Sequence, residues 1–303
     1  MRWRLPTNKA GFPCRFPGRQ GFTLIEIMVS VAILSIMAGL MVPMVYRVWE
    51  SNEKSETRAK MAELKRAMVG DQRLVQNGIR MHYGFVGDNG DLPLTITDLV
   101  SDSGSFANWR GPYLVGAFDP SDYFRDAWGR NLIFTRHAFV DGKSVVGRLA
   151  SLGPDGLAGT ADDLNENSDP ELQIIGSEVW PTNTVQGNLD YLFTAATTAT
   201  PVLSARLYVK YNVASGPTTI GSAGCLNLAV GEVAAGEALR VRRAFAMTDA
   251  WLPVGQVTVG SLLYNSGDCS GSAVAQANET VVYVSDGLPV VAVNLPTFNY
   301  SVP

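Results

Sequence analysis

Residues 22–46 read FTLIEIMVSVAILSIMAGLMVPMVY, an apolar run whose single charge is Glu26. About 25 residues at 1.5 Å rise each are enough to cross a hydrocarbon layer as a helix. Residues 1–21 ahead of it hold Arg2, Arg4, Lys9, Arg15 and Arg19 and no acid. That charge bias keeps the leading end in the cytoplasm and sends the rest of the chain outward. A secretory signal peptide would have a shorter apolar core followed by a small-residue cleavage site, and none follows Met44. A plain membrane anchor leaves Glu26 unexplained, because a carboxylate inside a bilayer costs about 3 kcal/mol and calls for a partner. If the chain is cut between Gly21 and Phe22, the new α-amine lies close to Glu26 on one helix. In a staggered assembly, the Glu26 of one subunit would neutralise the amine of the next.

The stretch GFTLIEIMVSVAIL, residues 21–34, resembles the class III signal of type IV prepilins and pseudopilins. The resemblance implies that Gly21 precedes the cut, that Phe22 becomes the methylated first residue, and that Glu26 serves assembly. Pro43 falls where many such helices carry a proline that bends or locally melts them. Also implied are a prepilin peptidase, an inner-membrane assembly platform, and filament partners that are other copies of the chain and minor pilins or pseudopilins. The implied location is the bacterial inner membrane, crossed once, with the later regions in the periplasm or on an extracellular filament.

The helix is expected to continue through SNEKSETRAKMAELKRAMVGDQRLVQNG, residues 51–78, where Met61, Leu64, Met68 and Val75 recur at helical spacing among charges. Asn77-Gly78 reads as its stop. A helix over 22–77 is about 80 Å long, half of it lipid-facing or filament core and half packed on a globular head.

Residues 78–178 are turn-rich, with a loop at Gly87–Asp91, a short apolar element in LPLTITDLV, and short strands in NLIFTR and SVVGRLASLG. A small antiparallel sheet lying on the exported half of the helix is the simplest arrangement. DAWGRNLIF followed by SLGPDGLAGTADDL resembles the major pseudopilin of type II secretion systems, in which the second motif binds calcium. Calcium takes about six to eight oxygens from carboxylates and carbonyls, and glycines let a chain curl around it. Asp155, Asp162 and Asp163 would supply carboxylates, with the carbonyl of Leu152 and an oxygen of Thr160. Ala161 stands where an acid is common in the family, so the roles of Asp162 and Asp163 stay open. The spacing is not that of an EF-hand.

Residues 179–303 are expected to form a β-rich, sandwich-like domain beyond the length of ordinary major pseudopilins. PVLSARLYVKYNV places Leu203, Ala205, Leu207, Val209, Tyr211 and Val213 on one face, and ALRVRRAFA, VGQVTVGSLLY, ETVVYVS and PVVAVNL read as further strands. Cys225 and Cys269 are either a disulfide or buried thiols, and export favours the bridge. Cys14 lies in the leader. GDCSG resembles a serine-protease motif only superficially, since Ser270 is displaced and no His follows it. Arg240, Arg242 and Arg243 read as the wet face of a strand. His82 and His137 have no catalytic context, and the sequon Asn278-Glu279-Thr280 is assigned no role.

The chain of 303 residues has a formal charge of -4, but outside the basic leader 19 basic residues face 28 acidic ones, a charge of -9. An acidic body is a poor match for phosphate backbones, so no nucleic-acid binding is expected. No phosphate loop, dinucleotide motif or Cys/His metal cluster occurs, and the chain is expected not to be an enzyme. The expected fold class is α+β: a long amino-terminal pilin helix packed on a small antiparallel sheet, then a predominantly β domain. The implied function is a structural subunit that polymerises into a type II secretion pseudopilus. The alternative is a minor or specialised type IV pilin that displays its β-domain for adhesion or partner binding. A membrane-anchored hydrolase is a third class without support in the residues.

Overall fold

The computed structural model describes residues 21–303 apart from 78, 116–118, 166–167, 222–223 and 278. The leader read at 1–21 therefore lies outside the described residues except for Gly21, and so do Cys14 and Asn278. Two compact units divide between Asn52 and Glu53.

Helix α1 spans Leu24–Val69, about 69 Å at 1.5 Å per residue. It runs through Pro43 without a break in its assignment. Within the first unit every residue from Leu24 to Trp49 is exposed, and most are large and apolar. The apolar pattern has no polar face, as a helix surrounded by lipid or by other helices requires.

The helix ends at Val69, short of the expected Asn77, for a reason visible in the backbone. Gly70 takes φ +83° and its N–H donates to the carbonyl of Arg66 at 2.7 Å, a left-handed glycine stop. Asn77, at φ +54°, instead sits in the turn between β1 (Val75–Gln76) and β2 (Ile79–Arg80), which pair antiparallel. Asn-Gly is a strong hairpin signal as well as a helix stop, and here the hairpin wins. Val75 is consequently an exposed strand residue rather than part of the helix stripe.

In the second unit, Thr57, Met61, Leu64 and Met68 recur every three or four residues of α1 and are wholly buried. Met61, Leu64 and Met68 pack with α2 (Gly84–Asn89) through Phe85 and Val86, and with Leu92, Leu99 and the sheet residues Val146, Leu149 and Ile174. Each such side chain contributes about 2 kcal/mol by leaving water. The sheet has the order β3 (Ile133–Arg136), β4 (Val145–Ala150), β5 (Gln173–Ile175), antiparallel throughout. Lys65 ties α1 to its edge by donating to the carbonyl of Gln173 at 2.6 Å and pairing with Glu178 of α3 (Gly176–Val179) at 2.9 Å.

Beyond α3 the chain is β-structure. In one sheet β6 (Thr182–Ala195) is central. Two shorter strands of the other sheet are β7 (Ser204–Val213) and β8 (Gly216–Gly221), with β9 (Leu226–Asn227) also pairing with β7. β10 (Ala238–Leu252) returns to β6 in antiparallel register, and β11 (Gly255–Tyr264) pairs with β7. β12 (Ala273–Gln276) and β13 (Thr280–Val284) both pair with β11. β14 (Val290–Asn294) and β15 (Phe298–Val302) run parallel along successive halves of β6. The two sheets share one core, in which Leu189, Tyr191 and Phe193 of β6 meet Leu207 and Val209 of β7 and Val257 and Val259 of β11. The Tyr191 hydroxyl and Ser261 Oγ, both buried, lie 2.6 Å apart between them. The expected α+β class with a β-rich carboxy-terminal region is what the chain adopts.

The core of the first sheet region takes in Val254 from the turn between β10 and β11, whose N–H donates to the carbonyl of Val179 at 2.8 Å. Phe139 lies against both Trp180 and Trp251. Gly90 packs so closely on β7 that a Cβ there would meet the Asn212 carbonyl oxygen at 1.7 Å.

Candidate functional site

Two regions carry the residues singled out by sequence. At the amino terminus, Gly21, Phe22 and Thr23 precede the helix, and Phe22 is 76% exposed. Thr23 acts as the cap: its hydroxyl oxygen accepts the N–H of Glu26 at 3.3 Å, and its carbonyl accepts the N–H groups of Glu26 and Ile27. Thr-x-x-Glu is the pattern of a capping box, a signal that the sequence reading passed over. Glu26 thus stands in the first turn, where the helix dipole favours negative charge. The hydroxyls of Ser30 and Ser35 donate to the carbonyls of Glu26 and Val31, both at 2.7 Å, so neither is left unpaired on an apolar surface.

The acidic loop is pinned at its base by Ser151 and Leu164, which exchange backbone hydrogen bonds of 2.8 and 3.0 Å. The DAWGR turn holds it from beneath. Asp126 is 2% exposed, takes the Ser151 hydroxyl at 2.7 Å, and accepts the N–H groups of Trp128 and Arg130. Arg130 then reaches across to the carbonyls of Gly153 and Pro154. The N–H of Ala127 donates to Thr57 on α1 at 3.1 Å, so turn, loop and helix form one support. Asp126, Arg130, Ser151 and Thr57 were not named as site residues in advance, although DAWGR was quoted as half of the motif pair.

Within the loop, Asp155 Oδ1 accepts the N–H of Leu157 at 2.8 Å and Asp163 Oδ2 accepts that of Gly159 at 2.7 Å. Both carboxylates also lie 3.4 Å from the Thr160 hydroxyl, so Asp155, Thr160 and Asp163 converge. Asp162 Oδ2 accepts the N–H of Asp155 at 3.3 Å, and the Thr160 hydroxyl comes first in holding the Asp162 carboxyl below the usual range. The Leu152 carbonyl accepts the N–H of Gly156. In kind these donors fit a hard cation, since all are oxygens. In position Asp155 and Asp163 meet at the Thr160 hydroxyl, which also interacts with the Asp162 carboxylate, yet no group of three metal-ligating acids, His or Cys side chains is formed among the described residues.

The other candidates separate. Cys225 and Cys269 form a disulfide, and the N–H of Cys269 donates to the Ser204 hydroxyl oxygen. Arg240 and Arg242 are more than the wet face of a strand, because both grip Asp190 on β6. Arg243 donates to backbone carbonyls of Arg242 and Ala229. Ser270 lies in a turn capped by Asp268. His82 accepts the N–H of Asp71, and the N–H of His137 extends the pairing of β3 with β4.

Residues 17–42 match the prokaryotic N-terminal methylation motif. The chain is 28% identical over 152 residues to the type II secretion system core protein G of Escherichia coli strain K12, covering 48% of this chain and 89% of that protein. No solved structure gives a match. The methylation motif leading into an exposed apolar helix, together with an amino-terminal part similar to a secretion core protein, supports a pseudopilin-like protein.

Proposed function

We propose that the chain is a structural subunit, not an enzyme, which is inserted once in the bacterial inner membrane and polymerises through α1 into a type II secretion pseudopilus. The observation that carries this reading is the methylation motif at residues 17–42 running directly into a helix whose side chains are exposed from Leu24 to Trp49. Such a surface must be covered by lipid or by other helices. A prepilin peptidase would cut between Gly21 and Phe22, and the freed, methylated amine of one subunit would meet Glu26 of its neighbour. The carboxylate costs free energy when alone in the bilayer and regains it on pairing, so the filament is favoured over the free subunit. An assembly platform and minor pseudopilins complete the partners, and the domains after α1 face the periplasm. The acidic body is not expected to bind nucleic acid.

Glu26→Ala tests the pairing. The variant is expected to reach the membrane and to be cut to Phe22, while its yield in sheared filaments falls at least about tenfold. Mass spectrometry of the amino terminus and immunoblots of sheared fractions are the readouts. Normal filament yield, or a chain that keeps Met1, would sink the reading.

A second reading has its own support. The β-structure from Thr182 to Val302 accounts for much of the chain outside the 152 residues similar to the secretion protein. A minor or specialised type IV pilin that presents this domain to a partner would use it. Relative abundance in sheared filaments separates the two.

The acidic loop is proposed to hold calcium for a structural purpose, through Asp155, Asp163, Thr160 and the Leu152 carbonyl. Asp162, which also meets Thr160, would join them through the oxygen that the N–H of Asp155 leaves free. The ion would neutralise clustered carboxylates and lock the loop. Thermal melting with calcium and with chelator is expected to differ by several degrees, about 1–2 kcal/mol for a saturated weak site. An Asp155→Asn, Asp163→Asn double variant should show no difference, and an unchanged wild-type midpoint removes the site.

A further inference from the structure

A cleft of about 1020 Å³ opens where the outer face of the β7–β11–β13 sheet meets α2 and the β1–β2 hairpin. Its floor is a run of side chains set by strand register. Gln256 stands opposite Tyr283, Thr258 opposite Lys210, and Asn212 opposite Pro217. Tyr83 lines it with Tyr283, and Asn77 adds an amide from the hairpin turn. Tyr283 is 48% exposed and Met81 60%, so a flat ring and a thioether stand open at the rim. The Tyr83 hydroxyl is shielded from solvent and has no hydrogen-bond partner among the described residues.

The charges narrow the ligand class. Each cation in the lining has an acid beside it: Arg80 with Asp286, Arg110 with Asp88 at 3.9 Å, and Lys210 with Glu279. A cleft balanced in this way has no surplus positive charge to offer an anion. An extended peptide is disfavoured for a different reason. The floor is a sheet face whose central strands β7 and β11 are already paired on both sides, so a peptide lying on it finds no backbone partner and could add only at the outer strands β8 and β13. What remains is aromatic rings beside amides and hydroxyls, in a cleft of ligand size at a junction of domains. Rings stack on the C–H face of a sugar, and amides donate to and accept from its hydroxyls.

We propose that this cleft binds an uncharged oligosaccharide, stacked on Tyr283 and hydrogen-bonded by Gln256 and Asn212. The site does not depend on how the subunit assembles.

The test uses the full chain purified in a detergent without a sugar headgroup, such as an amine oxide, since a maltoside would compete. Maltotetraose, cellotetraose, mannotetraose and tetra-N-acetylchitotetraose are screened by saturation-transfer NMR and then by calorimetry. Tetragalacturonate and a decapeptide of alternating Thr and Val are screened alongside. At least one uncharged sugar is expected to bind. Tyr283→Ala should weaken it about tenfold or more, and Gln256→Ala by about fivefold. Both positions are exposed, so the melting temperature should hold, and Val274→Ser outside the cleft should bind as wild type. Silence from every uncharged sugar, or sugar binding indifferent to both cleft substitutions, overturns the proposal. So does binding of the uronate or the peptide alone that Tyr283→Ala removes.

Discussion

Asp190 on β6 lies opposite Arg242 on β10, and its side chain is 7% exposed. It holds Arg240 through both carboxylate oxygens, Arg242 at 3.2 Å, and the Thr297 hydroxyl at 3.0 Å. Thr297 belongs to the short link between β14 and β15, so one carboxylate fixes the strand on each side of β6. The hydrogen bond from Arg240 comes first in holding this carboxyl far below the usual carboxylate range. Burial opposes it, and Thr297 and Arg242 add to it. A depressed folded value means that the stabilisation is present at neutral pH. It fades as pH falls below the ordinary carboxylate value of about 3.9 toward the folded one. Asp190→Asn is therefore expected to cost about 1–3 kcal/mol at pH 7 and clearly less at pH 3. Urea midpoints of the two proteins at both pH values measure it, and equal midpoints at pH 7 would remove the role. Little of this could be read in advance. Arg240 and Arg242 stand out in ALRVRRAFA, but their partner sits in a strand that the sequence reading did not mark.

At the scale of elements, the loop at 152–163 depends on the turn beneath it. Asp126 accepts three hydrogen bonds and is nearly inaccessible, so truncating it strands the Ser151 hydroxyl and two N–H groups in the interior. Asp126→Ala is expected to cost about 2–4 kcal/mol and to open the loop. Limited proteolysis should then cut between Gly153 and Leu164 at least about tenfold faster than in wild type, because local opening sets the rate. An unchanged cleavage rate would mean that Arg130 and the Ser151–Leu164 pairing suffice. The elements themselves were unevenly legible. β3, β4, β7, β10, β11, β13 and β14 announce themselves by alternation between turn residues. β6 was not marked: it buries Val185, Leu189, Tyr191, Phe193 and Ala195 at alternate positions, but Gly187 interrupts the series. That glycine is there because β14 passes so close that a Cβ would meet the Val293 carbonyl oxygen at 1.5 Å, a constraint set by a strand about a hundred residues away. The helix end was misplaced for a similar reason, since only backbone geometry tells a glycine stop at Gly70 from a hairpin turn at Asn77.

For the molecule as a whole, the second unit behaves as one body from Glu53 to Pro303, although it contains two hydrophobic clusters. Val254 is 1% exposed within the cluster that holds Met61 and Leu64, although it comes from the turn that opens β11. The Asn212 amide donates to the Asp88 carbonyl at 3.0 Å, and the Ala107 N–H donates to the Ala214 carbonyl at 2.9 Å. Contacts of this kind couple the two clusters, so they should unfold together. Gly90 is the sensitive point of the joint. Its φ of +71° disfavours any side chain, and the Asn212 carbonyl fills the space that a Cβ would need. Gly90→Ala is expected to cost about 2–4 kcal/mol, or roughly 5–12 °C in melting temperature for a unit of this size. Far-UV dichroism reports chiefly on the large β-sheets, and tryptophan fluorescence is weighted toward Trp109, Trp128 and Trp180 beside the other cluster. In both proteins the two signals should share one midpoint, lower in the variant. Separate midpoints in the wild type would mean that the clusters melt independently and that the joint contributes little.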